Sequence, residues 1–224
     1  AFVADGCRLA REYDVASVCV RPADVVRART ILDGSDVAVG TTIGFPHGNH
    51  LTETKIFEAE RALADGAVEL DMVIQIGALK SGRDADVRAD IAAVVEVAHA
   101  AGAIVKVILE NAYLTDDEKV RGCRLTEAAG ADFVKTSTGF APGGATHEDL
   151  ALMRRTVSPR VQVKAAGGVR TLDALLAVMD LGVTRVGATA TQTILDDFRA
   201  RKAGLEPAEA VPAAGVGGTT ETDY

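Results

Sequence analysis

Several function classes are excluded by what the sequence lacks. No apolar run reaches 18 residues and no signal peptide is visible, so the expected location is the cytoplasm, with no membrane partner. Cysteine is scarce: Cys7, Cys19 and Cys123 are odd in number and have no CxxC spacing, which argues for a reducing compartment and against a disulfide framework or a zinc site. His47, His50, His99 and His147 form no HxH or HExxH arrangement, so no metal is expected, and the plain reading of His47 and His50 is as surface loop residues. There is no Walker loop, no GxSxG and no Rossmann fingerprint. Basic blocks are absent as well. The net charge is -8, which makes nucleic acid an unsuitable partner and obliges any bound phosphate to find local donors.

What is present is a regular alternation. The chain has 224 residues, 48% of them apolar and 25% charged, enough for one large α/β domain. Helical patterning over 2–13 precedes a β-rich run over 16–20. A helix from Pro22 to about Leu32 leads to a run over 37–43, which ends in Gly44-Phe45-Pro46-His47-Gly48. Thr52 is a plausible N-cap for a helix reaching Ala64, with Gly66 as its stop. Strands are expected over 67–73, 104–109, 131–135, 161–165 and 184–187. Helices are expected over 84–101, 116–129, 146–156, 171–181 and 189–203, with a Thr115–Glu118 capping box on the second of these. Such alternation predicts a parallel sheet. Seven strands are visible and a closed (β/α)8 TIM barrel needs eight, so one further strand is expected ahead of residue 1. Residues 1–203 read as the barrel domain. From Gly204 the composition turns to Pro, Ala, Gly and Thr, and 204–224 read as a flexible tail ending in Tyr224.

Charge at three strand ends needs an explanation. Asp71 sits late in Glu69-Leu70-Asp71-Met72-Val73; Lys135 ends the fifth visible strand and Lys164 the sixth. A strand-end lysine can simply reach for water, and Asp71 can simply neutralise it. The fifth and sixth strands are neighbours in a barrel, however, so two ammonium groups approach each other in a poorly solvated place. One of the two then gives up its proton more readily, leaving an amine fit to attack a carbonyl. Lys106 and Glu110 read as a structural ion pair, with Lys106 as an alternative nucleophile. Two glycine-bearing turns, Gly167-Gly168 and Gly187 to Thr191, fall on the loops where such barrels bind phosphate. A lone Gly-Gly is ordinarily only a turn.

Taken together these segments resemble the deoxyribose-phosphate aldolase family of class I, Schiff-base aldolases with a (β/α)8 barrel. The resemblance runs from about residue 10 to about residue 200. It rests on Ala16 to Val20, Ile43-Gly44-Phe45-Pro46, Glu69 to Val73, Gly77 to Lys80, Ala131 to Gly144 and Val163 to Thr171. It implies Lys135 as the Schiff-base lysine, Lys164 as the second lysine that activates it and moves protons, and Asp71 as acid/base partner. It further implies that Gly139, Gly167, Gly168, Val169, Arg170, Gly187, Thr189 and Ala190 surround the substrate phosphate, and that no cofactor is needed. Thr138 is a candidate for substrate hydroxyls, or a cap for its own loop. The family has Ser where Ala166 stands, and a Ser-Ser pair in place of Thr189-Ala190. The implied partners are a small sugar phosphate and an aldehyde. A homodimer is one option for its assembly. Two other functions stay open at this point: a different phosphate-binding barrel enzyme, such as an isomerase, and a non-catalytic sugar-phosphate-binding barrel.

Overall fold

The computed structural model of the protein describes residues 2–205. Tyr224 and nearly all of the expected tail lie outside the described residues. The seven strands are β1 (Ser17–Val20), β2 (Ala38–Ile43), β3 (Glu69–Val73), β4 (Ile104–Ile108), β5 (Phe133–Lys135), β6 (Gln162–Ala166) and β7 (Arg185–Gly187). They form one parallel sheet in sequence order, the ladder expected of an alternating α/β chain. The helices are α1 (Phe2–Glu12), α2 (Val25–Ile31), α3 (Thr52–Ala64), α4 (Ile76–Lys80), α5 (Asp84–Ala100), α6 (Asp116–Ala128), α7 (His147–Thr156), α8 (Leu172–Asp180) and α9 (Thr191–Lys202).

The sheet curls into the barrel architecture. Laid flat at about 4.8 Å per strand, β7 and β1 would stand roughly 29 Å apart. Instead Arg185 on β7 donates to the Ser17 hydroxyl on β1 at 2.9 Å, and Tyr13, just after α1, donates to Asp196 on α9 at 2.6 Å. No ladder joins β7 to β1 among the described residues, and the seam between them stands where the strand count expected an eighth strand. Strand alternation sorts the side chains. Leu70, Met72, Val105, Val107, Val134, Val163 and Ala165 are buried in the hydrophobic core, while Glu69, Asp71, Lys106, Lys135, Lys164 and Arg185 alternate with them and meet inside the barrel.

Local signals account for most element ends. The Thr115–Glu118 capping box forms, and the Thr146 and Thr171 hydroxyls accept from the Asp149 and Ala174 amides. One expected cap needs correction. Thr52 is the first helical residue, not the N-cap; Leu51 holds that position, and the Thr52 hydroxyl donates instead to Asp90 on α5 at 2.8 Å. The short helix α4 adds to the expected elements, because five residues with a glycine in second place carry too little periodicity to register.

Lys55 of α3 and Asp90 of α5 form a fully buried ion pair at 2.6 Å, and Lys55 also donates to the Val73 carbonyl at the end of β3 at 2.9 Å. The lysine stem passes against Gly44, where an added Cβ would lie 2.7 Å from Lys55 Cε. A charged tether thus fixes the helical layer to the end of the strand that carries Asp71. Removing one partner strands the other charge in the core, which costs about 3–5 kcal/mol. Asp90→Ala is expected to lose that much in urea unfolding, and Lys55→Met with Asp90→Ala to recover part of it. Equal losses in the single and double variants would contradict the tether.

Candidate active site

Parallel register builds the site. Asp71 on β3 lies opposite Lys106 on β4, and Lys135 on β5 lies opposite Lys164 on β6. All four side chains point into the barrel. Asp71 Oδ1 accepts from Lys106 Nζ at 2.8 Å, and Oδ2 accepts from both Lys135 Nζ and Lys164 Nζ at 2.7 Å. The structure therefore brings Lys135, Lys164 and Asp71 together at a single carboxylate. Curling is what permits this, since β3 and β6 are three strands apart.

The Lys106–Glu110 pair expected from the sequence does not form. Lys106 is held between Glu69 at 2.7 Å and Asp71. Glu110 adopts a left-handed backbone conformation with φ 58°, which swings its side chain to the loop after β5. There it accepts from the Thr138 amide at 3.2 Å and from the Thr138 hydroxyl. Below this layer Arg185 donates to both oxygens of Glu69 at 3.1 Å and lies 5.8 Å from the centre of the Phe133 ring. Glu69 and Arg185 thus close the floor and leave the mouth, at the carboxyl ends of the strands, as the way in. Neither was singled out from sequence. The signal available was their strand parity, inward like Asp71 and Lys164.

Lys106 and Lys164 respond oppositely to the shared carboxylate. Burial opposes ionisation of Asp71, but Lys135, Lys164 and Lys106 outweigh it and hold the carboxyl well below the usual range. Burial also opposes the Lys106 ammonium, yet Asp71 and Glu69 raise its proton affinity above the ordinary value. Burial dominates at Lys164; Asp71 counters it, Lys135 and Lys106 add to it, and the proton affinity falls. Lys106 is therefore a fixed cation, poorly suited to nucleophilic work, and Lys164 gives up its proton more readily than an ordinary lysine.

The remaining predicted residues line the rim. Gly167 and Gly168, after β6, have φ of 81° and 91°, a backbone open to glycine alone without strain. Val169 is buried and Arg170 exposed on the same loop. Gly187 ends β7 next to Lys164, whose Cε lies 3.6 Å from where a Cβ would stand. Thr189 is exposed and Ala190 occupies the N-cap of α9. Gly139 is exposed on the loop after β5, and Gly144 on that loop presses against Gly167 so closely that a Cβ would lie 2.7 Å from its carbonyl carbon. Thr138 is engaged within its loop: besides contacting Glu110, its hydroxyl accepts from the Phe140 amide at 3.0 Å. The neighbouring Ser137 hydroxyl is buried without a partner among the described residues. His47 and His50 are exposed. Among the described residues no three His, Cys, Asp or Glu side chains gather as a metal cage, and no helix is long and apolar enough to cross a membrane.

Comparison with known proteins fits this geometry. A family described as DeoC/LacD family aldolase matches residues 3–205. Deoxyribose-phosphate aldolase 2 of Bacillus licheniformis is 56% identical over 186 residues, covering 83% of each chain. Deoxyribose-phosphate aldolase of Alkaliphilus oremlandii is 50% identical over 198 residues, covering 88% of this chain and 89% of that relative. Among solved structures, the deoxyribose phosphate aldolase of Aeropyrum pernix, described as a unique tetrameric structure, superposes with a TM-score of 0.81. It is 29% identical and covers 89% of this chain and 84% of that one.

The charge arrangement has a pH consequence. The carboxyl of Asp71 is depressed in the folded state, so its stabilisation is fully present above the usual value near 3.8 and fades as pH falls below it. Asp71→Asn is expected to lower stability at pH 7 by on the order of 3 kcal/mol, and the gap to the parent should narrow at pH 3. Urea unfolding at pH 7, 5 and 3 measures this; a gap that does not change with pH would show that Asp71 carries no such linkage.

Proposed function

The chain belongs to the DeoC/LacD family of aldolases, and from that premise and the site geometry we propose that it is a deoxyribose-phosphate aldolase. It cleaves 2-deoxy-D-ribose 5-phosphate reversibly to D-glyceraldehyde 3-phosphate and acetaldehyde. The observation that carries the reading is the meeting of Lys135 and Lys164 on the single buried carboxylate of Asp71. One lysine is the nucleophile and the other, held nearby with a weakened hold on its proton, serves as base.

In this mechanism the Lys135 amine attacks the aldehyde carbon of the open-chain sugar. The carbinolamine loses water to give an iminium, and the C3 hydroxyl proton passes to Lys164 directly or through a water. The C2–C3 bond breaks, its electron pair moves toward the iminium nitrogen, and glyceraldehyde 3-phosphate leaves. Protonation of the resulting enamine at C2 and hydrolysis release acetaldehyde and restore the amine. Asp71, held anionic by its neighbours, is a weak base; its part is to hold both lysines in place and to stabilise the cationic states they pass through. Lys106, Glu69 and Arg185 keep that carboxylate positioned from below.

In this reading the phosphate lies at Gly139, Gly167, Gly168, Val169, Arg170, Gly187, Thr189 and Ala190; glycine there leaves backbone amides accessible, and the start of α9 adds a favourable dipole. Residues 1–203 form the catalytic domain of this reading. Cytoplasmic location and self-association into a homodimer complete it. The Aeropyrum pernix relative, described as a tetramer, supports self-association without fixing the number of subunits.

Borohydride reduction in the presence of acetaldehyde should leave a two-carbon adduct on Lys135, read by peptide mass mapping. An adduct on Lys106 or Lys164, or none, overturns the assignment. Lys164→Leu should move the pH at which the adduct forms upward, and an unchanged profile removes Lys164 from the activating role. Ala190→Ser adds a hydroxyl worth about 1 kcal/mol at the phosphate. KM for the phosphorylated sugar should then fall about fivefold, while KM for unphosphorylated 2-deoxyribose stays constant. Equal effects on both substrates would place Ala190 away from the phosphate.

A further inference from the structure

Two loops at the mouth meet through aromatic side chains that the mechanism does not use. Phe45 stands two residues beyond β2 and Phe140 five residues beyond β5. β3 and β4 lie between those strands, which places the two strand ends about 14 Å apart along the sheet. The rings nevertheless meet edge to face, with centroids 5.4 Å apart and planes at 86°. Both loops must therefore lean toward each other over the ends of β3 and β4, the strands that carry Asp71 and Lys106.

Each loop is held in this position by a charged side chain from a neighbouring element. On one side the Gly44 amide donates to Glu58 of α3 at 2.7 Å, and the Gly48 amide donates to the Gly44 carbonyl at 2.8 Å. Gly48 sits so close to β3's end that a Cβ would lie 1.9 Å from the Ile74 carbonyl oxygen. On the other side the Phe140 amide donates to Thr138, and Thr138 is fastened to buried Glu110. The rings themselves are unequally covered, Phe45 half-buried and Phe140 56% exposed.

The mouth is thus two-sided. Glycine backbone runs from Gly139 and Gly144 on the loop after β5 round to the loops after β6 and β7, and aromatic carbon stands where the β2 and β5 loops meet. An anionic phosphate is repelled by an aromatic face, whose quadrupole is negative, whereas an aliphatic chain is well received there. We infer that Phe45 and Phe140 form a specificity wall that receives the carbon chain of the aldehyde bound on Lys135 and limits its length. This rests on the aldolase reading above. Glu110 and Thr138 are positioning residues for the wall.

The test uses the full chain and borohydride trapping with acetaldehyde, propanal and butanal, quantified as adduct on Lys135. The parent should trap acetaldehyde fastest. Phe140→Ala and Phe45→Ala should raise the butanal-to-acetaldehyde trapping ratio at least fivefold, with Phe140→Leu between parent and alanine. Inhibition of turnover by inorganic phosphate should stay within twofold of the parent in all three. An adduct in parent and variants with an unchanged ratio overturns the wall and leaves the aldolase reading standing. No adduct with any aldehyde in the parent overturns that reading and the wall with it. Leucine keeps most of the packing, so it serves if an alanine variant fails to fold: a ratio equal to the parent's in Phe140→Leu and in whichever alanine variant folds counts against the wall.

Discussion

A fully buried carboxylate has to be paired, and most of this structure can be understood as the pairing of Asp71. An ionised carboxyl out of water is tolerated only with partners in good geometry. Asp71 has three, and they come from β4, β5 and β6. Strand alternation puts its side chain inside, parallel register puts Lys106 beside it, and curvature brings Lys135 and Lys164 across to it. A flat sheet with the same sequence would leave the charge with Lys106 alone. The carboxylate therefore acts as a gauge of the fold: it is satisfied only when the barrel is formed.

The same carboxylate divides the lysines by role. Lys106 pairs with two carboxylates, Glu69 and the Oδ1 of Asp71, and its charge is secured. Lys135 and Lys164 share one oxygen of Asp71, so neither has a full counter-charge. Burial lowers the proton affinity of Lys164, and the shared carboxylate offsets that only in part. A second carboxylate at that position would stabilise the site and remove the free amine. The under-compensated pair is thus a local cost in stability that leaves reactivity available, as is common where function and folding compete.

The fold was largely legible because it rests on local patterns: apolar runs, caps and glycine stops placed the seven strands and the long helices. The site was legible in part for a related reason. Lys135 ends β5 as expected, whereas Asp71 and Lys164 stand mid-strand in β3 and β6 and not at strand ends; within strands, parity and neighbour order are enough to bring the three together. The failures occur where parity stops. Glu110 lies beyond β4 in a left-handed conformation, so counting along the strand pointed it at Lys106 when it faces Thr138. Thr52 had the composition of a cap but was drawn to Asp90, a residue 38 positions away whose proximity no local pattern encodes. Arg185 bridges β7 to β1 and β3, a consequence of curling that strand order alone does not specify.

The acidic chain and its anionic substrate are reconciled by scale. A net charge of -8 acts over distances at which salt screens it, with a Debye length of about 8 Å at physiological ionic strength. Inside the barrel, among the described residues, Lys106, Lys135, Lys164 and Arg185 face only Glu69 and Asp71. Four basic side chains thus face two carboxylates, an excess of basic groups in a poorly solvated space, where Coulomb terms are several-fold larger than in water. A phosphate reaching the β6–β7 rim would meet that excess from above while its sugar chain extended down toward Lys135. Attraction of the substrate thus needs no basic surface. It needs only that the interior cations outnumber the carboxylates that hold them, which is also the condition that frees an amine for the chemistry.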